Sequence, residues 1–457
     1  MTASNPPPLP LMGSDYSRAV FSVSRIRQII YNRLSSMKAI ILNTDSILNP
    51  GDAAIVLAQI RLLRRALPGL ALSLTSRTPR LDRGFFGPMG VAVLEPFLPA
   101  PSLWRGAGRK IAGVLSHLLK PAPKARLIRE IRTSDFAVSS GGGLFYSNRS
   151  TMPGLTFYQN IVHVRLAQAL GKPVIFFPQS FGPFFSSSAR RAVLRLFEHP
   201  RTARIFVRET LSYEWLRSRV PEGVRKKIGL CPDMALGLDP ARSMDDDPAL
   251  APLPRPRLAL TVRGWDFPEA ETSRRREELK GRYVRTVADA ALGFVSRRGG
   301  SLAVVPHTRG PGDFEDDRIV SGRLWELLEK ALPQERRRLI ELPGHAPPAR
   351  FLRLYASADC LLATRTHSAV FALLSGTPAV SVHYQPKGPG IMSLMGLGEF
   401  SFLISELKAA ALSEKLESVL DRWPGLRNPL AERLDALRRE IEETICPVLS
   451  DVVRGRP

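Results

Sequence analysis

The chain has 457 residues, with 65 Lys and Arg against 42 Asp and Glu, a formal excess of +23. At 44% hydrophobic and 23% charged it has a globular composition, long enough for two or three domains, which excludes a disordered or collagen-like chain. No stretch approaches the ~20 apolar residues that span a bilayer, and the first residues lack a secretory-signal pattern. Three widely separated cysteines, Cys231, Cys360 and Cys446, suit a reducing cytoplasm better than a disulfide framework or a zinc ribbon. The cationic excess is either a solvated surface or an attraction for anions: nucleic acid, acidic lipid or phosphorylated substrates.

Residues 1–36 read as an appendage, a proline run followed by a basic stretch with the spacing of a short amphipathic helix. From residue 37 to 235, short apolar runs alternate with helical stretches. Strands are expected at 38–44, 70–76, 136–140, 173–178 and 203–208, and a helix capped by Asp52 is expected through Leu67. Residues 103–132 carry eight Lys and Arg against Glu130 alone, with apolar spacing on one face, the pattern of a basic amphipathic helix. Residues 236–256 are rich in Pro and Asp and read as a linker. The alternation resumes over 257–428, with strands at 258–263, 302–307, 339–344, 360–365 and 379–384. A further helix over 430–443 belongs to a C-terminal segment, 429–457. Strands separated by helix-length segments imply parallel sheets, so the expected fold is α/β: two Rossmann-like domains facing across a cleft.

Ligands of such sheets bind beyond the carboxyl ends of the strands, where loops lead into helix N-termini. The first of these loops is Asn49-Pro50-Gly51-Asp52. The second is the triplet Gly141-Gly142-Gly143, and Gln179-Ser180-Phe181-Gly182-Pro183 is read as another. The strongest is Arg365-Thr366-His367-Ser368, between an apolar strand and a helix stopped by Gly376 and Pro378; Lys387 lies in the loop after the next strand. The seven histidines show no paired metal spacing, and no metal centre is expected. Asp245-Asp246-Asp247 reads as a solvated run in the linker. Asp313, Asp316 and Asp317 read as helix-capping acids before cleft residues.

Taken in order, these motifs, with Phe206-Val207-Arg208-Glu209, Cys231-Pro232-Asp233 and the run from Arg365 to Pro378, resemble the polysaccharide pyruvyl transferase family over about Lys38 to Gly398. The resemblance implies a fold like that of GT-B glycosyltransferases and transfer of pyruvate from phosphoenolpyruvate to a sugar as a ketal. It implies phosphoenolpyruvate contacts from Arg208, Arg365, His367 and Lys387, with His367 as the catalytic acid or base. Asn49, Gly51, Asp52, Gly142 and Gly143 would line acceptor or anion loops. After the triplet this chain has Tyr146-Ser147-Asn148, where relatives commonly carry an acidic residue.

The residue types suit the chemistry. Phosphoenolpyruvate presents a carboxylate and a phosphate, for which Arg offers a planar fork and Lys a compact charge. Ketal formation needs a proton delivered to the methylene carbon, and imidazole exchanges protons near neutrality. No metal or redox cofactor is required. The expected partners are phosphoenolpyruvate and a lipid-linked or nucleotide-linked sugar, in the cytoplasm or against the inner, anionic face of the membrane. Nucleic acid is not expected, because no reading motif accompanies the charge. The rival readings are a GT-B glycosyltransferase using a nucleotide sugar and a non-catalytic basic protein binding membrane or nucleic acid.

Overall fold

A computed structural model describes residues 37–98, 119–147, 154–239, 246–342, 345–384 and 388–455. The appendage 1–36, most of the basic helical segment, Asn148, Asp245 and Lys387 lie outside the described residues.

Two all-parallel sheets form among the described residues. The first contains β1 (Lys38–Leu42), β2 (Ala71–Thr75), β3 (Val91–Leu94), β4 (Phe136–Ser139), β5 (Gly142–Ser147), β6 (Val174–Phe184), β7 (Thr202–Val207) and β8 (Ile228–Leu230). Its order is β3-β2-β1-β4-β6-β7-β8, with β5 paired to the far part of β6. The second contains β9 (Arg257–Thr261), β10 (Ser301–Val304), β11 (Arg337–Leu339), β12 (Cys360–Ala363), β13 (Ala379–His383) and β14 (Ser401–Leu403), in the order β11-β10-β9-β12-β13-β14. In both sheets the order reverses beside the first strand in sequence, which opens a crevice at that strand's carboxyl end. Central strands such as β1, β4, β9 and β12 are buried on both faces, which is why their sequences are continuously apolar rather than alternating.

Several expectations change. Asn49, not Asp52, caps the first helix, Pro50–Ala66: its side chain accepts from the Gly51 amide, and Pro50 takes the first-turn position where a missing N–H costs nothing. Gly142 and Gly143 lie in a strand rather than a loop, and the 179–183 segment is the continuation of β6. A strand forms at Arg337–Leu339, earlier than the 339–344 expected, and among the described residues it does not continue over 340–342. In the basic segment, Pro121–Thr133 is helical and buries Leu127 and Ile131 against the domain, so this part packs as an ordinary surface helix.

The C-terminal helix runs Ala409–Val453, 45 residues through three prolines, where the expectation was 430–443. Each interior proline costs about 3 kcal/mol in an isolated helix. Two buried runs, Leu412, Leu416 and Val419 in the first half and Leu430, Leu434, Leu437, Ile441, Ile445 and Leu449 in the second, joined by half-buried Leu420, Trp423 and Leu426, override that cost.

This helix packs on both lobes. Its first half meets the helix Ser273–Arg298 through Arg297–Glu417 and Arg298–Asp421. Its second half meets the first lobe: Arg65 contacts Glu442 at 2.5 Å, and Arg438 donates to the carbonyls of Leu236 and Leu238. One apolar cluster runs from Ile41 and Leu63 through Met234 and Leu236 to Leu260 and Phe371, and includes Leu437 and Ile441.

Candidate functional site

The carboxyl ends of the two sheets face one another across a cavity of about 210 Å³. Its lining draws on the first lobe through Asp45, Asn49, Asp52, Gly142, Gly143, Tyr146, Ser180 and Arg208. The second lobe contributes Arg263, Trp265, His307, Phe314, Glu315, Arg365, His367, His383 and Tyr384. Arg208, from the end of β7, therefore shares one cavity with Arg365 and His367, from the end of β12.

Arg208 and His367, both in the cavity lining, converge on one buried carboxylate outside it, that of Asp233. Arg208 Nη1 lies 2.5 Å from Asp233 Oδ2, and its Nε donates to Ser180 Oγ at 2.8 Å. His367 Nε2 stands 3.8 Å from the same Asp233 oxygen, too long for a hydrogen bond but inside ion-pair range, and has no closer partner. Burial works to raise the Asp233 carboxyl, yet Arg208 and then His367 outweigh it and hold the group well below the usual carboxylate range. Asp233 is thus a buried anion, turned toward one cation from its own lobe and an imidazole from the other. It belongs to the Cys-Pro-Asp motif, but a lone aspartate after a short strand gives no local sign of partners so distant in the chain.

Arg365 is the N-cap residue of the helix Thr366–Leu374. Its guanidinium is held side-on by Asp317: Nη2 donates to Oδ1 at 2.6 Å, and Nε to Oδ1 and Oδ2 at 3.1 and 3.0 Å. Nη2 also donates to the Glu315 carbonyl. Burial acts to discharge Arg365, but Asp317 prevails and keeps the guanidinium above its ordinary range. The acids after β10 therefore divide their work. Asp316 caps the following helix, and Asp317 is the counter-ion that lets Arg365 sit buried in the cavity wall.

Gly51 lies directly behind His367. A Cβ at position 51 would fall 2.7 Å from His367 Cβ and closer still to the ring, so only glycine allows the helix Pro50–Ala66 to approach this histidine. Gly142 has φ +114°, outside the range of other residues, and a Cβ there would contact Asp52. Asn49 Nδ2 donates to Asp52 Oδ2 at 2.5 Å. Burial, with Asp45 and Glu315 adding to it, pushes the Asp52 carboxyl well above the usual range. The opposite rim is aromatic. Trp265 and Tyr384 rings lie 4.7 Å apart, and the Arg263 guanidinium sits 3.9 Å above Tyr384. Phe314 and Tyr146 are large hydrophobic residues left 46% and 41% exposed there.

The lobes also clasp each other beside the cavity. Arg77, buried in the first lobe, contacts Asp45 at 2.7 Å and Glu315 of the second lobe at 3.2 Å, and the Arg309 amide donates to the Leu48 carbonyl. The sequence motifs contain Ser180 and Asp233 but give neither a role, Asp317 reads there as a helix cap whereas it pairs with Arg365, and the aromatic rim carries no local sign. Among the described residues, no helix is long and apolar enough to cross a membrane, and no group of three or more His, Cys, Asp or Glu is arranged to hold a metal.

The comparisons with known proteins agree with this architecture. The chain is 22% identical over 432 residues to the amylovoran biosynthesis protein AmsJ of Erwinia amylovora, covering 88% of this chain and 96% of that one. Among solved structures it is similar to a putative UDP-N-acetylglucosamine 2-epimerase from Listeria monocytogenes, with TM-score 0.58 and 13% identity over 92% of this chain and 98% of that one. It also resembles a ugt transferase from Siraitia grosvenorii in complex with UDP, with TM-score 0.53 and 13% identity over 92% and 100% of the two chains. At such identity these structures establish the fold alone, which is GT-B-like. The profile of the family described as Polysaccharide pyruvyl transferase matches residues 49–386, a span that begins at the Asn49 cap and includes Arg208, Asp233, Arg365 and His367. The chain therefore belongs to the polysaccharide pyruvyl transferase family and is a transferase.

Proposed function

We propose that this protein transfers pyruvate from phosphoenolpyruvate onto a saccharide of a polysaccharide precursor, forming a cyclic ketal. The observation that carries the reading is the convergence of Arg208 and Arg365, from opposite lobes, on a cavity that also holds His367. Two guanidiniums supply forked donors for the carboxylate and phosphate of the donor, and Lys387 would add a third cation. His367, beside the anionic Asp233, is suited to carry the proton that reaches the methylene carbon. A sugar hydroxyl then bonds to the central carbon, the carbon–oxygen bond to phosphate breaks, and a second hydroxyl closes the ketal; each hydroxyl loses its proton. The arginines offset charge on the departing phosphate. The exposed ring of Phe314, beside Trp265, supplies a flat apolar face of the kind that sugar rings stack against, and this supports an acceptor on that side.

The test is phosphate release when the full chain is incubated with phosphoenolpyruvate and a panel of lipid-linked and nucleotide-linked sugars, with products read by mass. A mass gain corresponding to a pyruvate ketal is expected. Thermal protection by a nucleotide sugar but not by phosphoenolpyruvate, with glycosyl rather than pyruvyl transfer, would instead favour a glycosyltransferase. A finer expectation concerns Gly51. Gly51→Ala forces the His367 ring aside, and a displacement of about 1 Å at a reacting group costs on the order of 10²-fold in rate. Phosphate release should fall by about that factor, with little change in the circular dichroism spectrum. Wild-type turnover would contradict the assigned role of His367.

A further inference from the structure

His307 follows β10 in the sequence Val305-Pro306-His307, and nothing in the family motifs draws attention to it. Its side chain is only 1% exposed yet lines the cavity. The ring is wedged among Phe351, Tyr355 and Phe371, with centroid separations of 4.9, 6.0 and 5.6 Å. On its inner side Nδ1 lies 2.8 Å from the Tyr355 hydroxyl, and on the other side Nε2 has no partner.

These contacts fix the tautomer. If Nδ1–H donated to the phenol, both the phenol hydrogen and the Nε2 lone pair would be buried without partners. If the Tyr355 hydroxyl donates to Nδ1, only one group is left over, an Nε2–H. Each unmade buried hydrogen bond costs about 1–3 kcal/mol, so the second arrangement prevails. Burial keeps the phenol protonated, and burial together with the charges of Arg365 and His367 keeps the imidazole neutral. His307 is therefore a fixed neutral donor beside the two groups assigned to the donor substrate, and an anion is the ligand that an unpaired N–H in a cationic wall selects.

We infer that His307 is an additional anion-binding residue of this cavity, its Nε2–H, set by Tyr355, donating to a carboxylate or phosphate oxygen of the small anion held by Arg208 and Arg365. The inference deepens the phosphoenolpyruvate reading and rests on it. Tyr355 is a positioning residue, since it acts only through His307.

Two measurements on the full chain test it. Calorimetric titration with phosphoenolpyruvate alone should show binding by the wild type and a Kd raised about 10–100-fold in His307→Phe, the loss expected for a hydrogen bond to a charged group. His307→Gln, which keeps an N–H, should recover part of the loss, and Tyr355→Phe should fall between. Absence of binding in the wild type overturns the donor reading itself, before any variant is compared. Wild-type binding with an unchanged Kd in His307→Phe overturns the role of His307 alone. Histidine ¹⁵N spectra of the wild type give an answer even if that variant fails to fold. They should show His307 protonated on Nε2, unprotonated on Nδ1, and not titrating between pH 5 and 8, with the Nε2–H signal moving on addition of phosphoenolpyruvate. Protonation at Nδ1, or an Nε2–H signal indifferent to bound ligand, rejects the assignment.

Discussion

His367→Ala is expected to lower phosphate release from phosphoenolpyruvate and acceptor by about 10²–10⁴-fold, the range that a positioned acid or base contributes. The fold should tolerate the change, because position 367 lies in the first turn of the helix Thr366–Leu374 and alanine is the best helix former. Asp233 keeps its 2.5 Å contact with Arg208, so no buried charge is stranded. The loss should therefore appear mainly in kcat, with a smaller change in the KM for phosphoenolpyruvate, since the two guanidiniums remain. Undiminished phosphate release from the alanine variant would refute the proposed role of His367.

Asp317→Ala should be the most damaging single change to stability, on the order of 3–5 kcal/mol. Removing one member of a buried ion pair leaves the other uncompensated. Here the survivor is Arg365, whose Nε and Nη2 both point at the missing carboxylate. Thr308 loses an acceptor for its amide as well. For a domain of this size the thermal midpoint should drop by roughly 6–20 °C, at about 2–4 °C per kcal/mol. Asp317→Asn keeps acceptor oxygen and shape and should lose less. A midpoint within 2 °C of the wild type in the alanine variant would show that the pair contributes nothing to the fold.

The parts of the site legible in the sequence are those with a local signature. Arg365 and His367 stand between a continuously apolar strand and a glycine-stopped helix, a pattern written within twenty residues. Arg208 ends an apolar strand in the same way. Other features depend on partners distant in the chain. Asp233 acquires its meaning only when β7 and β12 bring Arg208 and His367 to it, and Asp317 only when Arg365 folds against it. The glycine triplet reads as a loop because glycine is rare in strands, yet Gly142 pairs with Gln179 in the extension of β6, a neighbour that local propensity cannot anticipate. The prolines of the last helix mislead for a similar reason: the apolar burial of its two halves, Leu412–Val419 and Leu430–Leu449, outweighs three local penalties.

That last helix has a mechanical consequence. Arg65, where it is fastened to the first lobe, lies fifteen residues beyond Pro50, about 22 Å along a helix whose other end abuts His367. A single rod thus joins both halves, and through Arg438 it also braces the turn that follows Asp233. A hinge about that rod would open the rim bordered by Tyr146 and Phe314, and it would have to break the Arg77–Glu315 pair beside Phe314 to do so.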